Sequence, residues 1–169
     1  MQVMFGAAAL SAFKSSKLLV SLQAKLPQVK AFSAQFVHFL DCTAQLSRHD
    51  LEVVHALLHY GAGFRPEGAA ADSGEQLTRV VVPRPGTISP WSSKASDILH
   101  NCGLSMVDRV ERGTLFSVTV DRALSASELA VLDELLHDRM TQAILGDVEQ
   151  ATCLFRHAEP QAMASVDVL

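Results

Sequence analysis

Hydroxyl and cationic side chains are concentrated in one short segment of this chain, around a predicted helix start. Ser89 precedes Pro90, a pair typical of a helix with a serine cap and a proline in its first turn. The first turn of a helix presents unpaired N–H groups and a partial positive charge, and both favour an anion. Arg and Trp are also preferred anchors of protein interfaces. The segment therefore predicts an anion site or a surface that holds a neighbouring domain. The candidate residues are Arg84, Thr87, Ser89, Trp91, Ser92, Ser93 and Lys94.

A purely structural interpretation of the same segment is favoured over ligand binding. In this interpretation Ser89 caps the helix, Pro90 stiffens its first turn, and Trp91 anchors it to the core. The hydroxyl groups then satisfy the helix's own backbone, and no ligand is required.

Histidines provide the other candidates for chemistry. His55 and His59 are one helical turn apart, which is the spacing of a pair of metal ligands. No third ligand is evident, so a metal-dependent enzyme is the weakest hypothesis and we predict no metal site. His38 lies within an apolar predicted strand and is interpreted as a hydrogen-bonded core histidine. Phosphate-binding loops, dinucleotide fingerprints, serine nucleophile elbows and paired-cysteine zinc patterns do not occur in the sequence.

Composition favours a globular domain over a nucleic-acid or membrane protein. The chain has 169 residues, of which 49% are hydrophobic, and a net charge of −4 with no Lys/Arg block. This charge argues against binding to nucleic acids or anionic membranes, and no apolar run is long enough to span a bilayer. Three widely spaced cysteines indicate reduced thiols, so we expect a cytoplasmic protein.

Hydrophobic patterning predicts the element order β-α-β-α, a loop, then β-α-β-β-α. This order predicts an α/β fold of the α+β sandwich type, with helices on one face of a mainly antiparallel sheet. Two similar lobes are expected at about 1–61 and 77–155, separated by a glycine- and alanine-rich loop at 62–76. Together they form one domain over 1–155, followed by a linker at 156–169.

Two local patterns add detail to this expectation. Arg112-Gly113, between two runs of β formers, predicts a hairpin turn. Ser125 and Glu128 form a capping-box pattern, and the apolar stripe after them predicts a long helix that extends to Ile144.

Two segments carry a resemblance to a known family. They are PRPGTISPWSSKASDILHNCG at Pro83–Gly103 and RVERG at Arg109–Gly113. Shorter matches are ALSAFKSSKLL near the start, AQFVHFLD at Ala34–Asp41, LHDRMT at Leu136–Thr141 and the closing SVDVL. In these segments the chain resembles the N-terminal domain of large-type phosphoribosylformylglycinamidine synthase, also called formylglycinamide ribonucleotide amidotransferase.

The resemblance implies a role without catalysis in this chain. The family enzyme makes formylglycinamidine ribonucleotide, a purine precursor, using ATP, Mg²⁺ and ammonia released from glutamine. Its synthetase and glutaminase domains lie elsewhere in the parent, so ATP and Mg²⁺ would bind there and no catalytic residue is expected here. The family domain resembles a dimer of the small subunit of the multi-subunit enzyme. It would dock the synthetase and glutaminase domains and help to shield the ammonia path. The competing hypothesis is a free-standing sensor of a small anionic metabolite.

Overall fold

A computed structural model describes residues 1–64 and 74–156. The strands are β1 Gln2–Ala8, β2 Val29–Cys42, β3 Glu75–Pro83, β4 Val107–Val120 and β5 Gln142–Leu145. The helices are α1 Ala12–Lys25, α2 Arg48–Leu58, α3 Pro90–Asn101 and α4 Ala126–Leu136, and a 3-10 helix covers Glu149–Phe155.

All four α-helices begin in the same way, after a serine. In each case the serine hydroxyl accepts a hydrogen bond from the backbone N–H three residues on, which satisfies an otherwise unpaired donor. The four caps are Ser11, Ser47, Ser89 and Ser125. The capping box predicted at Ser125 and Glu128 is confirmed. Over the described ranges, no helix is long and apolar enough to cross a membrane.

The five strands form one antiparallel sheet in the order β1-β2-β4-β3-β5. The two long strands β2 and β4 lie side by side, from the pair Val29 and Val120 to the pair Cys42 and Val107. The predicted lobe at about 1–61 supplies β1 and β2, and β3, β4 and β5 follow from Glu75 onwards. The predicted α+β sandwich is therefore confirmed, whereas the likeness of the two halves to a subunit dimer stays a prediction.

Two predicted boundaries lie partly outside the described residues. Of the loop predicted at 62–76, residues 65–73 are not described, and β3 already begins at Glu75. Of the linker predicted at 156–169, only Arg156 is described.

The α-helices cover one face of the sheet. Leu22 of α1 and Leu132 of α4 pack in one cluster with Phe116. Val54 of α2 and Leu99 of α3 pack in another cluster with Val110. Phe116 and Val110 are an even number of residues apart on β4, so their side chains share a face.

The 3-10 helix lies against the opposite face of the sheet. Its residues Ala151 and Leu154 pack against Phe39 and Val80, and all four side chains are buried. The sheet therefore has the four α-helices on one face and this short segment over part of the other.

The hairpin predicted at Arg112-Gly113 is wrong, because β4 continues through both residues. Gly113 lies in the interior of the sheet, opposite Val37 of β2. A Cβ atom at Gly113 would lie 2.8 Å from the carbonyl oxygen of Val81 and 3.1 Å from the ring of Phe39. The glycine is needed for close packing within a strand, and it does not form a turn.

We expect Gly113→Ala to lower the free energy of unfolding by about 1–3 kcal/mol, because the added methyl group overpacks the sheet. Its nearest neighbour is a backbone oxygen, which cannot move away without disturbing the pairing of β3 with β4. Urea denaturation measures the loss. Gly146→Ala is the matched control, since its Cβ would meet only ordinary contacts at 3.6 Å or more. Equal losses in the two variants would contradict this account.

The long helix predicted from Ser125 to Ile144 is also wrong beyond Leu136. The helix α4 ends at Leu136, and Gln142–Leu145 form β5, which pairs with β3. Between them the Asp138 carboxylate accepts a hydrogen bond from the Met140 N–H at 2.8 Å. A short acidic side chain that bonds to nearby backbone in this way competes with helix formation.

The cysteines form no cross-link. Cys42, Cys102 and Cys153 all lie within the described residues, and each is a free thiol. Burial raises the pKa of the Cys42 thiol.

Candidate functional site

The predicted helix start is held by a carboxylate from β4. Ser89 donates from its backbone N–H to Glu111 Oε1 at 3.2 Å and from its hydroxyl to Oε2 at 2.8 Å. The Ser89 hydroxyl also accepts from the Ser92 N–H at 3.0 Å. Glu111 is completely buried. The protein's own Glu111 carboxylate therefore occupies the helix start at which the sequence predicted a possible anion site.

Arg109 extends this network to three parts of the fold. Its guanidinium donates to the Glu111 carboxylate, to the Thr87 carbonyl oxygen at 2.9 Å and to the Leu154 carbonyl oxygen at 3.2 Å. It also lies over the Phe155 ring, 5.4 Å from the ring centroid. The turn before α3 is thus tied to β4 and to the 3-10 helix.

The seven predicted site residues divide between the interior and the surface. Ser92 is buried, and Ser89 and Trp91 are half-buried. The exposed members are Arg84, Thr87, Ser93 and Lys94. The structural interpretation of Ser89 as a helix cap is confirmed. We call the whole segment, residues 84–94, the cap segment.

An aromatic cage that the sequence did not predict lies beside the cap segment. It consists of Phe36, Tyr60 and Trp91, and it surrounds the guanidinium of Arg112. The guanidinium carbon is 4.4 Å from the Phe36 ring centroid and 4.9 Å from that of Trp91. One guanidinium nitrogen donates to the Tyr60 hydroxyl at 3.0 Å. Stacking on aromatic faces stabilises a cation that is partly removed from water.

His38 lies next to this cage and is kept neutral. It is only 1% exposed, and its Nε2 lies 3.1 Å from the Tyr60 hydroxyl oxygen. Burial, and secondarily the positive charge of Arg112, lower the pKa of His38 to about 4. The interpretation of His38 as a hydrogen-bonded core histidine is confirmed. At neutral pH Arg112 is accordingly the charged member of this group.

A groove of about 290 Å³ joins the cage to the cap segment. Phe36, Trp91 and Arg112 form part of its wall, and Ser89 and Pro90 form another part. Thr114 and Gln142 also line it. We call this cavity the Arg112 groove.

The alternation of side chains along β4 explains why both features share one strand. Arg109 and Glu111 bond to Thr87 and Ser89 from one face of β4, and Arg112 lies against Trp91 on the other face. The sequence therefore contains the alternation of a continuous strand at residues 109–113, although Arg112-Gly113 is also typical of a turn.

The histidine pair predicted as a weak metal candidate is not part of this site. The rings of His55 and His59 stack with centroids 5.3 Å apart. Within residues 1–64 and 74–156, no group of three or more His, Cys, Asp or Glu side chains is placed to hold a metal ion.

The two segments that carry the family resemblance meet at this site. Ser89 and Trp91 come from Pro83–Gly103, and Glu111 and Arg112 come from Arg109–Gly113. A protein-family model described as formylglycinamide ribonucleotide amidotransferase N-terminal matches residues 35–155. The chain belongs to this family. It is thus related to the N-terminal domain of an amidotransferase of purine biosynthesis, a protein with further domains in the same polypeptide.

Proposed function

We propose that this amidotransferase N-terminal domain docks the synthetase and glutaminase domains of its parent enzyme. The parent would be a cytoplasmic ATP- and Mg²⁺-dependent C–N ligase with glutamine as amido donor. This domain would contribute contacts and no catalytic residue. The observation that carries the proposal is the cap segment, which displays exposed cations on a rigid, buried support.

The rigidity of the cap segment favours a role in docking. Arg109 donates a hydrogen bond to the Thr87 carbonyl oxygen, and Glu111 accepts one from the Ser89 hydroxyl. These bonds fix the segment without any contact from a partner domain. Binding through a preorganised surface loses less conformational entropy than binding through a flexible one.

The exposed side chains of the cap segment suit a partly acidic partner. Arg84 and Lys94 are exposed, and neither has a carboxylate within 4 Å among the described residues. Ile88 between them is 61% exposed and adds apolar surface. This combination of free cations and an apolar side chain can make both polar and apolar contacts with a neighbouring domain.

Docking would also help to couple the two reactions of the parent. Ammonia that reaches bulk water at neutral pH is protonated and loses its nucleophilicity. A domain that holds the synthetase and glutaminase together would support a shielded path for ammonia between them.

The alternative of a free-standing anion sensor gains no support at the cap segment. Such a sensor needs an anion at the helix start, and the buried Glu111 carboxylate already accepts both Ser89 donors there. A second carboxylate or a phosphate at the same place would be repelled by it.

We expect Arg84→Ala combined with Lys94→Ala in the parent enzyme to lower glutamine-dependent activity about fivefold relative to ammonia-dependent activity. Two exposed charges, each contributing about 0.5 kcal/mol to docking, give this factor. Steady-state assays with glutamine and with ammonium salts measure the ratio. Lys14→Ala combined with Lys17→Ala is the control, because it removes the same charge from exposed positions on α1. An equal loss in both assays would disprove coupling, and no loss in either would exclude the cap segment.

A further inference from the structure

We propose that the Arg112 groove receives the carboxylate of an acidic side chain from another domain of the parent amidotransferase. This inference rests on the proposed docking function and gives the chemistry of one of its contacts. The groove borders the cap segment at Ser89, Pro90 and Trp91, but Arg112 points to the face of β4 opposite Glu111.

The charge of Arg112 is the first argument. A guanidinium stays protonated at every physiological pH. Two other arginines with mostly buried side chains, Arg79 and Arg109, pair with the carboxylates of Asp133 and Glu111. Arg112 is half-buried as well, yet none of the described residues brings a carboxylate within 4 Å of it. Among the half-buried arginines of residues 1–64 and 74–156, Arg112 is therefore the one without a described carboxylate partner.

The geometry of the cage is the second argument. The guanidinium carbon lies over the rings of Phe36 and Trp91, and one N–H group is used by Tyr60. The unused N–H donors lie in the guanidinium plane, where a planar fork suits a carboxylate with two parallel hydrogen bonds. Because the guanidinium already contacts two rings and bonds to Tyr60, little further ordering is needed when the carboxylate binds.

The size of the groove is the third argument. Its volume of about 290 Å³ lies at the lower limit of the roughly 300–1,000 Å³ of drug-sized ligand pockets and is sufficient for one side chain. Thr114 and Gln142 line the groove as well, and both are residue types that can donate a hydrogen bond to a carboxylate.

The position of the groove indicates where the side chain comes from. The groove shares Ser89, Pro90 and Trp91 with the cap segment, so a domain docked on one would also cover the other. Charge complementarity to a guanidinium that pairs with no carboxylate of the described residues selects an acidic residue on that domain.

Trp91 gives a direct measurement, because it is the single tryptophan of the chain and lies against Arg112. The 169-residue chain is titrated with N-acetyl-glutamate amide, which carries only the side-chain carboxylate, while its fluorescence is recorded. N-acetyl-glutamine amide at equal ionic strength is the matched uncharged control. We expect a saturable change with the glutamate compound only, and an apparent affinity weakened about tenfold or more by Arg112→Gln.

Three results would overturn the proposal. The first is no response, or the same response to both compounds. The second is a response that appears only after Glu67→Gln and Asp72→Asn, because the groove would then belong to acidic side chains of this chain. If Arg112→Gln does not fold by circular dichroism, the difference between the two compounds on the unmodified chain decides alone.

The third result concerns the parent enzyme and separates this proposal from the general docking function. Arg112→Gln should lower the ratio of glutamine- to ammonia-dependent activity. An unchanged ratio, even with binding to the isolated chain, would mean that the groove takes free carboxylates and would overturn the interdomain contact. If Arg84→Ala with Lys94→Ala still lowers the ratio, docking itself stands.

Discussion

Replacing Glu111 by alanine is expected to lower the free energy of unfolding by about 3–5 kcal/mol, the usual loss when one partner of a buried ion pair is removed. The Glu111 carboxylate is completely buried and accepts from Ser89 and from Arg109. Its removal leaves the Arg109 guanidinium, whose side chain is only 15% exposed, without a counter-charge. It also leaves two donors of Ser89 unpaired at the start of α3.

Urea denaturation of the 169-residue chain measures this loss. Asp108→Ala is the matched control, since Asp108 is an exposed acid on the same strand, and it should change the stability by no more than about 0.5 kcal/mol. Glu111→Gln keeps the shape and one acceptor oxygen, so its loss should lie between the two. A loss below about 1 kcal/mol for Glu111→Ala would show that Arg109 and Ser89 find solvent or other partners.

The helix starts could be predicted from the sequence because capping is local. The bonds that define the caps at Ser89 and Ser125 join residues only three apart. The class of the sheet was also predictable, because strand and helix patterns alternate along the chain. Such features depend on a few neighbouring residues whose preferences agree with the final structure.

The contacts that build the site could not be predicted, because they join residues far apart in the chain. Ser89 and Glu111 are separated by 22 residues, and Arg112 and Tyr60 by 52. Glycine is typical of turns, so the sequence favoured a turn at Gly113. The close approach of Val81 and Phe39, which requires a glycine within the strand, is visible only in the structure. The family resemblance identified both segments of the site, but it did not show that they touch.

The pH dependence of stability should show the neutral state of His38. We expect the chain to lose about 3 kcal/mol of stability from this group as the pH falls from about 6.5 to about 4. The unfolded chain binds a proton at His38 near pH 6.5, whereas burial and the charge of Arg112 prevent the folded chain from doing so until about pH 4. Protons therefore favour the unfolded state throughout this interval, and the stabilisation present above pH 6.5 is lost on acidification.

Urea denaturation at a series of pH values tests this, with His38→Gln as the variant that cannot titrate. The variant should lose less stability than the unmodified chain over that interval, and His49→Gln, at an exposed position, should behave like the unmodified chain. Parallel curves for all three would show that the folded chain binds a proton at His38 as readily as the unfolded chain, which would contradict the lowered pKa. Because Arg112 contributes to the low pKa of His38, a carboxylate bound in the Arg112 groove should raise that pKa. The His38 titration thus reports on the same charge that the groove is proposed to neutralise.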